Sequence, residues 1–263
     1  MIEAFKLESY SFEKVSRRIK KYILIWCSEG KIEIEIDSSL FIVSSRSLIT
    51  ITSGQFHKFL NTSDAKGFIL IFSYDFFCKD DKDIELIFQN GLFCHFDINE
   101  IIHIKNNSIV SEQLQLIEQE LTEEPFQFLT SIHARIVLIL VAINRSKIDN
   151  GDEIWKPDAL FLKFLDKIRG RFLHNIPVKE YAQSLSTTEQ KLNDLSKEHA
   201  GKTAQQIIHG LMISEAKRLF NYENLSVKEA AYSLGFSDPF YFSNFFKKHT
   251  GVSPLDYKNR QSI

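Results

Sequence analysis

Residues Ser226–Tyr257 read SVKEAAYSLGFSDPFYFSNFFKKHTGVSPLDY. Ser226 followed three residues later by Glu229 is a capping box, so a helix is expected to start at Val227. Gly235, just after Leu234, can take the left-handed conformation that ends it. Asp238 is placed to cap a second helix, with Pro239 at its first position, where a missing N–H costs nothing. That second helix puts Phe242, Phe245 and Phe246 on a buried side and turns Phe240, Ser243, Asn244 and Lys247 elsewhere. Two short helices joined by a tight turn, the second with a polar and basic outer face, describe a helix-turn-helix.

The same unit is read a second time upstream. Val178-Lys179-Glu180-Tyr181-Ala182 matches Val227-Lys228-Glu229-Ala230-Ala231 at an offset of 49, as Leu185 matches Leu234. Leu192, Leu195, Lys197, His199 and Gly201 match Phe242, Phe245, Lys247, His249 and Gly251 at an offset of 50, and Thr203 answers Ser253. The offset grows where a turn is expected, and turns tolerate insertions. In this first copy Thr187 with Gln190 offers the capping box. Leu192 and Leu195 face inward, which leaves Gln190, Asn193, Asp194 and Lys197 outward. Between the copies a helix is expected over about Ala204–Tyr222. A plain helical bundle also has polar outer faces; the tandem repeat favours helix-turn-helix units over it.

These stretches resemble the C-terminal signature of the AraC/XylS family: Ala-Ala before Leu-Gly-Phe, Tyr-Phe-Ser in the recognition helix, then Phe-Lys-Lys and Thr-Gly-Val-Ser-Pro. SEAKRLF (Ser214–Phe220) resembles the end of that family's linker helix and GKTAQQII (Gly201–Ile208) its start. The likeness covers roughly residues 158–258. The first copy departs from the pattern: Ser186 stands where Gly is common, Ser196 where Phe is common, and Asp194 where a base-reading Arg is common. The resemblance implies a sequence-specific, DNA-binding transcriptional regulator. Its partner is double-stranded DNA, met by Gln190, Asn193, Asp194 and Lys197 in the first copy and by Pro239, Phe240, Ser243, Asn244, Lys247 and Lys248 in the second. A homodimer, a small-molecule effector and room for a contact with RNA polymerase belong to the same expectation.

Charge divides the chain in the same place. Residues 1–155 hold 16 Lys+Arg against 23 Asp+Glu, a net −7, and residues 156–263 hold 16 against 11, a net +5. The basic part is the candidate for a polyanionic partner.

The acidic part reads as β-rich. Ile32, Ile34 and Ile36 alternate with Glu33, Glu35 and Asp37, the period of a half-buried strand. Short apolar runs follow at Leu40–Val43, Leu48–Ile51 and Phe68–Phe72, separated by turn residues, as in a small sandwich or barrel. A short helix is expected over Asp83–Asn90. Val110, Leu114, Ile117 and Leu121 then recur at helical spacing. Pro125 opens a second helix that carries Phe126, Leu129, Ile132, Ile136, Leu140 and Ile143, so the two form a hairpin. That second helix is apolar on more than one side, which suggests dimerisation. The expected fold class is therefore α+β. It comprises a cupin-like β-barrel with a helical hairpin over 1–147 for sensing and dimerisation, a linker over 148–157, and an all-α domain with two helix-turn-helix units over 158–263. LITITSGQFHKF (Leu48–Phe59) resembles a strand-turn-strand of the family's sensor domain, which points to Trp26 and His57 as effector-pocket residues.

Composition is 44% hydrophobic and 25% charged, which argues against disorder. The longest uninterrupted apolar run, Ile136–Ile143, falls well short of the roughly 18 residues of a membrane span, and MIEAFKLESYSFEKVSRR has no apolar signal core. Cys27, Cys78 and Cys94 make no CxxC pair and read as reduced thiols of a cytoplasmic protein. Enzymatic cupins hold metal through His-x-His, Glu and a later His. Here His57 stands alone and His95 and His103 are isolated, so neither metal nor cofactor nor enzyme activity is expected. Two alternatives remain open: a front domain that only dimerises or contacts proteins, and a cupin enzyme fused to a DNA-binding module.

Overall fold

The computed structural model describes residues 1–10, 15–62, 64–93, 99–105, 107–152, 154–170 and 176–261. Cys94 and His95 lie outside them. The chain divides into two compact units, Met1–Pro157 and Asp158–Ile263.

The first unit is built from two antiparallel sheets. One orders β1 (Ile2–Lys6), β8 (Lys66–Phe72), β3 (Tyr22–Glu29), β6 (Ser47–Ile51) and β9 (Ile101–His103); the other orders β2 (Arg17–Arg18), β7 (Phe56–Asn61), β4 (Lys31–Ile36) and β5 (Ser39–Ser44). Ile23, Ile25, Ile49, Ile51, Ile69 and Ile71 of the first sheet share one apolar core with Ile32, Ile34, Ile36, Val43 and Phe59 of the second. The alternation read in Ile32–Asp37 is the inner and outer face of β4. By contrast, β3 is buried on both faces, which makes its sequence a continuous apolar run. Its outer face carries Tyr22, edge-on to Phe88 and Phe93, and Trp26, whose Nε1 donates to Ser111 Oγ at 3.0 Å.

Two short helices, α1 (Tyr74–Phe77) and α2 (Asp81–Phe88), precede a hairpin of α3 (Asn107–Glu123) and α4 (Phe128–Asp149). The second arm starts three residues after Pro125, because Gln127 is left-handed (φ 61°) and breaks the chain direction. Phe126 thus lies outside the helix at 93% exposure, contrary to the apolar side expected for it, and Leu129 is also exposed. Ile132, Ile136, Ile139, Leu140 and Ile143 are fully buried. By length and composition α4 could cross a membrane. Its polar contacts are those of a packed protein helix: Arg135 pairs with Glu120 at 2.8 Å and His133 with Asp83 at 3.1 Å.

The stretch expected to be a linker, 148–157, is not a free tether. α4 runs into it, as far as Asp149. Lys147, 4% exposed, pairs with Asp152 at 2.8 Å and with Glu100. Burial opposes its charge, but the hydrogen bonds to Asp152 and Glu100 outweigh burial and hold its pKa above the ordinary lysine value. The N–H of Asn90 donates to Trp155 O, and the N–H of Trp155 to Asn90 Oδ1, both at 2.8 Å. The segment is thereby latched to the first unit.

The second unit is entirely helical over its described residues: α5 (Ala159–Gly170), α6 (Val178–Ser184), α7 (Glu189–Ala200), α8 (Ala204–Asn221), α9 (Val227–Ser233), α10 (Pro239–Thr250) and α11 (Pro254–Gln261).

Candidate nucleic-acid interface

The repeat read in the sequence is a repeat of backbone geometry. After α9, Gly235 N–H bonds Tyr232 O at 3.0 Å and Phe236 N–H bonds Ala231 O at 2.9 Å. After α6, Ser186 N–H bonds Gln183 O at 3.1 Å and Thr187 N–H bonds Ala182 O at 2.9 Å, the same two bonds at an offset of 49. Both turns need a left-handed residue, Gly235 at φ 78° and Ser186 at φ 54°. Each second helix ends alike, with Gly201 N–H on Lys197 O and Gly251 N–H on Lys247 O. Helix α8, 18 residues long, joins the two helix-turn-helix copies, from here the first and second unit, and spans roughly 27 Å.

The second unit is held by aromatic rings. Phe242 and Phe246 are fully buried, with Phe236 5.2 Å from Phe242 and Phe220 5.7 Å from Phe246. Phe245, expected inside, is only half-buried. The capping box is formed, with Ser226 Oγ accepting from Glu229 N and the Glu229 carboxylate from Ser226 N. Hydrogen bonding to the Ser226 side chain and to its backbone N–H holds the Glu229 carboxyl below its ordinary pKa. Asp238 caps α10 through Phe240 N at 2.8 Å, with Pro239 at the first position. The opposite face of α10 is open: Phe240 (69% exposed), Asn244, Lys247 and Lys248 point outward, and Tyr241 (70%), which sequence reasoning passed over, lies beside them. Ser243 is half-buried and its hydroxyl donates to Pro239 O at 2.8 Å, so it can offer DNA only its acceptor side.

In the first unit Leu192, Leu195 and Ser196 occupy the positions of Phe242, Phe245 and Phe246. Ser196 is fully buried and bonds Leu192 O at 2.6 Å. The cap of α7 is Thr188, accepting from Lys191 N at 3.1 Å, one residue later than the expected Thr187, because Thr187 is spent on the turn. Gln190, Asp194 and Lys197 are exposed on one face, as expected, together with Lys191. They stand where Phe240, Asn244, Lys247 and Tyr241 stand in the second unit. Asn193, expected to face outward, does not. It is half-buried and both ends of its amide are engaged within the protein, Nδ2 on Glu189 O and Oδ1 on Ala204 N, each at 3.1 Å.

The front unit separates the two residues expected to share a pocket. Ile23, Ile25 and Cys27 of β3 face the common core, so Trp26, of opposite parity, faces the helices instead. His57 is 1% exposed on β7, edge-on to the core residue Phe59. Its Nε2 accepts from Arg17 Nε at 3.1 Å, and Arg17 also reaches Tyr10 Oη at 2.6 Å. Burial, seconded by the Arg17 charge, pushes the imidazole pKa down to about 4. Gln55 Nε2 nearby donates to both Asp37 and Asn99. Among the described residues no three His, Cys, Asp or Glu are grouped to hold a metal ion. Cys27 is buried, and burial lifts its thiol to about 11.

Known proteins resemble mainly the domain Asp158–Ile263. A family model described as "Helix-turn-helix domain" matches residues 181–260. The xylose operon regulatory protein of Haemophilus influenzae is 32% identical over 101 residues, 38% of this chain and 26% of that protein. The HTH-type transcriptional activator RhaS of Escherichia fergusonii is 27% identical over 135 residues, 50% of this chain and 48% of that one. The chain thus spans between about a quarter and a half of the length of these curated relatives. Among solved structures, fatty-acid-bound ToxT of Vibrio cholerae aligns over 98% of this chain and 94% of its own at 14% identity, with a TM-score of 0.41. The C-terminal domain of AraT from Geobacillus stearothermophilus aligns over 40% of this chain and 87% of its own at 24% identity, TM-score 0.38. With the same pair of turn hydrogen bonds in each copy and the match over residues 181–260, the domain Asp158–Ile263 is similar to a helix-turn-helix domain.

Proposed function

We propose that the chain is a sequence-specific, DNA-binding transcriptional regulator of the cytoplasm. The observation that carries this is the tandem of outward faces, Gln190, Asp194 and Lys197 on α7 and Phe240, Asn244, Lys247 and Lys248 on α10, joined by one continuous helix. A roughly 27 Å spacer approaches the roughly 34 Å repeat of a DNA turn, so the two helices suit neighbouring major-groove segments of one duplex face. The lysines suit phosphates, and Asn244 suits the paired acceptor and donor of adenine. Selection of bound sequences from random duplexes, followed by titration across a salt series, tests the reading. An enriched site whose affinity falls steeply with salt is expected. No enrichment, or a salt-independent affinity, would overturn it.

Within the front unit, residues 1–147 serve sensing and dimerisation in this reading. The polar set of Arg17, His57 and Tyr10 against an otherwise apolar core supports an effector site at His57, without Trp26. Leu129 (47% exposed), Leu138 (51%) and Ile148 (41%) are exposed apolar side chains of α4 and support a homodimer through the hairpin. Metabolite-dependent melting of the full chain tests the first. Sedimentation tests the second, and a monomer at all concentrations, with and without DNA, would sink it.

A further inference from the structure

Helix α8 and helix α11 occupy equivalent places, each following a recognition helix and its terminal glycine. Their first residues differ. α11 opens on Ser253 as cap and Pro254 at the first position, and Pro254 has no N–H to satisfy; Ser253 Oγ accepts from Asp256 N at 3.1 Å. α8 opens on Thr203 as cap and Ala204 at the first position. The Thr203–Gln206 capping box takes care of Gln206 N and Thr203 N. The N–H of Ala204 is left over, and Ala204 is fully buried, so water does not serve it. Asn193 Oδ1, reaching across from α7, accepts that N–H. The residue equivalent to Asn193 in the second unit is Ser243, which makes the corresponding bond to the carbonyl four residues back but is too short to reach further. The pairs are reciprocal: a long amide meets an alanine N–H in one unit, and the equivalent positions of the other hold a short hydroxyl and a proline.

We propose that Asn193 is a positioning residue for DNA recognition: it staples recognition helix α7 to the start of connecting helix α8 and so sets the first reading face relative to the spacer, without reading a base itself. The inference rests on the DNA-binding reading above. An unmet buried donor is costly, and a loosened α7–α8 joint weakens binding to every sequence alike, whereas loss of a base contact changes preference at one position.

A four-protein cycle in the full chain tests this. Asn193→Ser strands the Ala204 N–H and is expected to lower affinity for the selected site about tenfold and the melting midpoint by about 4–8 °C, with base preference unchanged. Ala204→Pro alone replaces the N–H with a ring carbon aimed at Asn193 Oδ1, well inside contact distance, and is expected to lose a similar amount. The extended backbone at Thr203 (φ −69°, ψ 157°) already suits a following proline. The double variant rebuilds the arrangement of the second unit and is expected to return to within about twofold of the parent, a strong departure from additivity. A changed base preference in Asn193→Ser, or losses in the double variant equal to the sum of the singles, would overturn the proposal. If the parent enriches no DNA at all, the DNA-binding reading fails instead, and the melting midpoints of the four proteins still decide whether the two residues are coupled.

Discussion

The two helix-turn-helix units share a backbone and differ in nearly everything hung on it. The second packs Phe236, Phe242 and Phe246 around Phe220, keeps glycine at its left-handed turn, and opens α11 on a proline. The first has Leu192, Leu195 and Ser196 in the core positions, a serine at the same left-handed turn, and an alanine where that proline would be. On the outside the contrast is one of charge. α10 presents Lys247 and Lys248 with Asn244, while α7 presents Lys191 and Lys197 against Glu189, Asp194 and Glu198, two cations to three anions. The fold therefore tolerates loss of its preferred side chains as long as each lost feature is replaced locally: Ser196 bonds Leu192 O, and Asn193 serves Ala204. What the substitutions alter is the surface offered to a polyanion. From this comparison the second unit is expected to discriminate between sequences and the first to contribute mainly position.

The comparison breaks most completely if the two units are uncoupled. Met212, 1% exposed, lies in the middle of α8. Met212→Pro removes an intrahelical hydrogen bond and clashes with the preceding turn, at about 3 kcal/mol or more. If both units must be held by one rigid spacer, high-affinity binding is lost by more than 100-fold, as fluorescence anisotropy would report, while Met212→Leu binds as the parent does. Full binding by a folded Met212→Pro protein would show that each unit docks independently.

Next in size is the division of reading. Asn244→Ala is expected to cost about 1–3 kcal/mol at one base position, measured on the selected site and its single-base variants. Gln190→Ala is expected to cost less, since Gln190 stands beside Asp194 on a face that repels phosphate. The reverse ordering would make the first unit the discriminating one.

Ser186 supplies a smaller test, of stability alone. A serine at φ 54° bears the steric cost of the left-handed region that glycine avoids. Ser186→Gly is expected to stabilise the protein by about 0.5–1 kcal/mol, and Gly235→Ser to destabilise it by a similar amount, read from urea midpoints. Opposite signs at equivalent turns would confirm that strain, and not packing, separates them.

Much of this was legible in the sequence where the determinant is local. Asp238-Pro239, Ser226 with Glu229, and the alternation of Ile32–Asp37 each specify an element through neighbours within four residues. The losses lie where the determinant is tertiary. β3 is buried on both faces, so Tyr22–Cys27 has no alternation to identify it. Trp26 and His57 are both fully buried, but only strand register reveals that one faces the helices and the other the core. Asn193 reads as an outward polar residue by helical periodicity. Its partner, Ala204 N, comes into reach only when α8 folds back past Gly201. Thr187 and Thr188 are equally good caps on paper, and the turn's own hydrogen bond to Ala182 O chooses between them.

The smallest expected effect is also the most direct comparison of the two faces. Asp194 is exposed at the position of Asn244, between two other acids of α7. Removing its charge with Asp194→Ala relieves repulsion from the backbone of DNA, which is screened at a solvent-exposed site. Affinity for non-specific duplex is expected to rise about two- to fivefold at low salt, with the gain shrinking as salt is added and no change in base preference. Asp194→Asn separates charge from recognition. It removes the same charge and also installs an amide able to pair bidentately with adenine. If α7 lies in the groove as α10 does, Asp194→Asn gains over Asp194→Ala on duplexes that carry adenine at one position of the first half-site, and on no others. Equal affinities of the two variants on every duplex would mean that Asp194 faces phosphates or solvent, and that the first unit holds the protein on DNA without touching its bases.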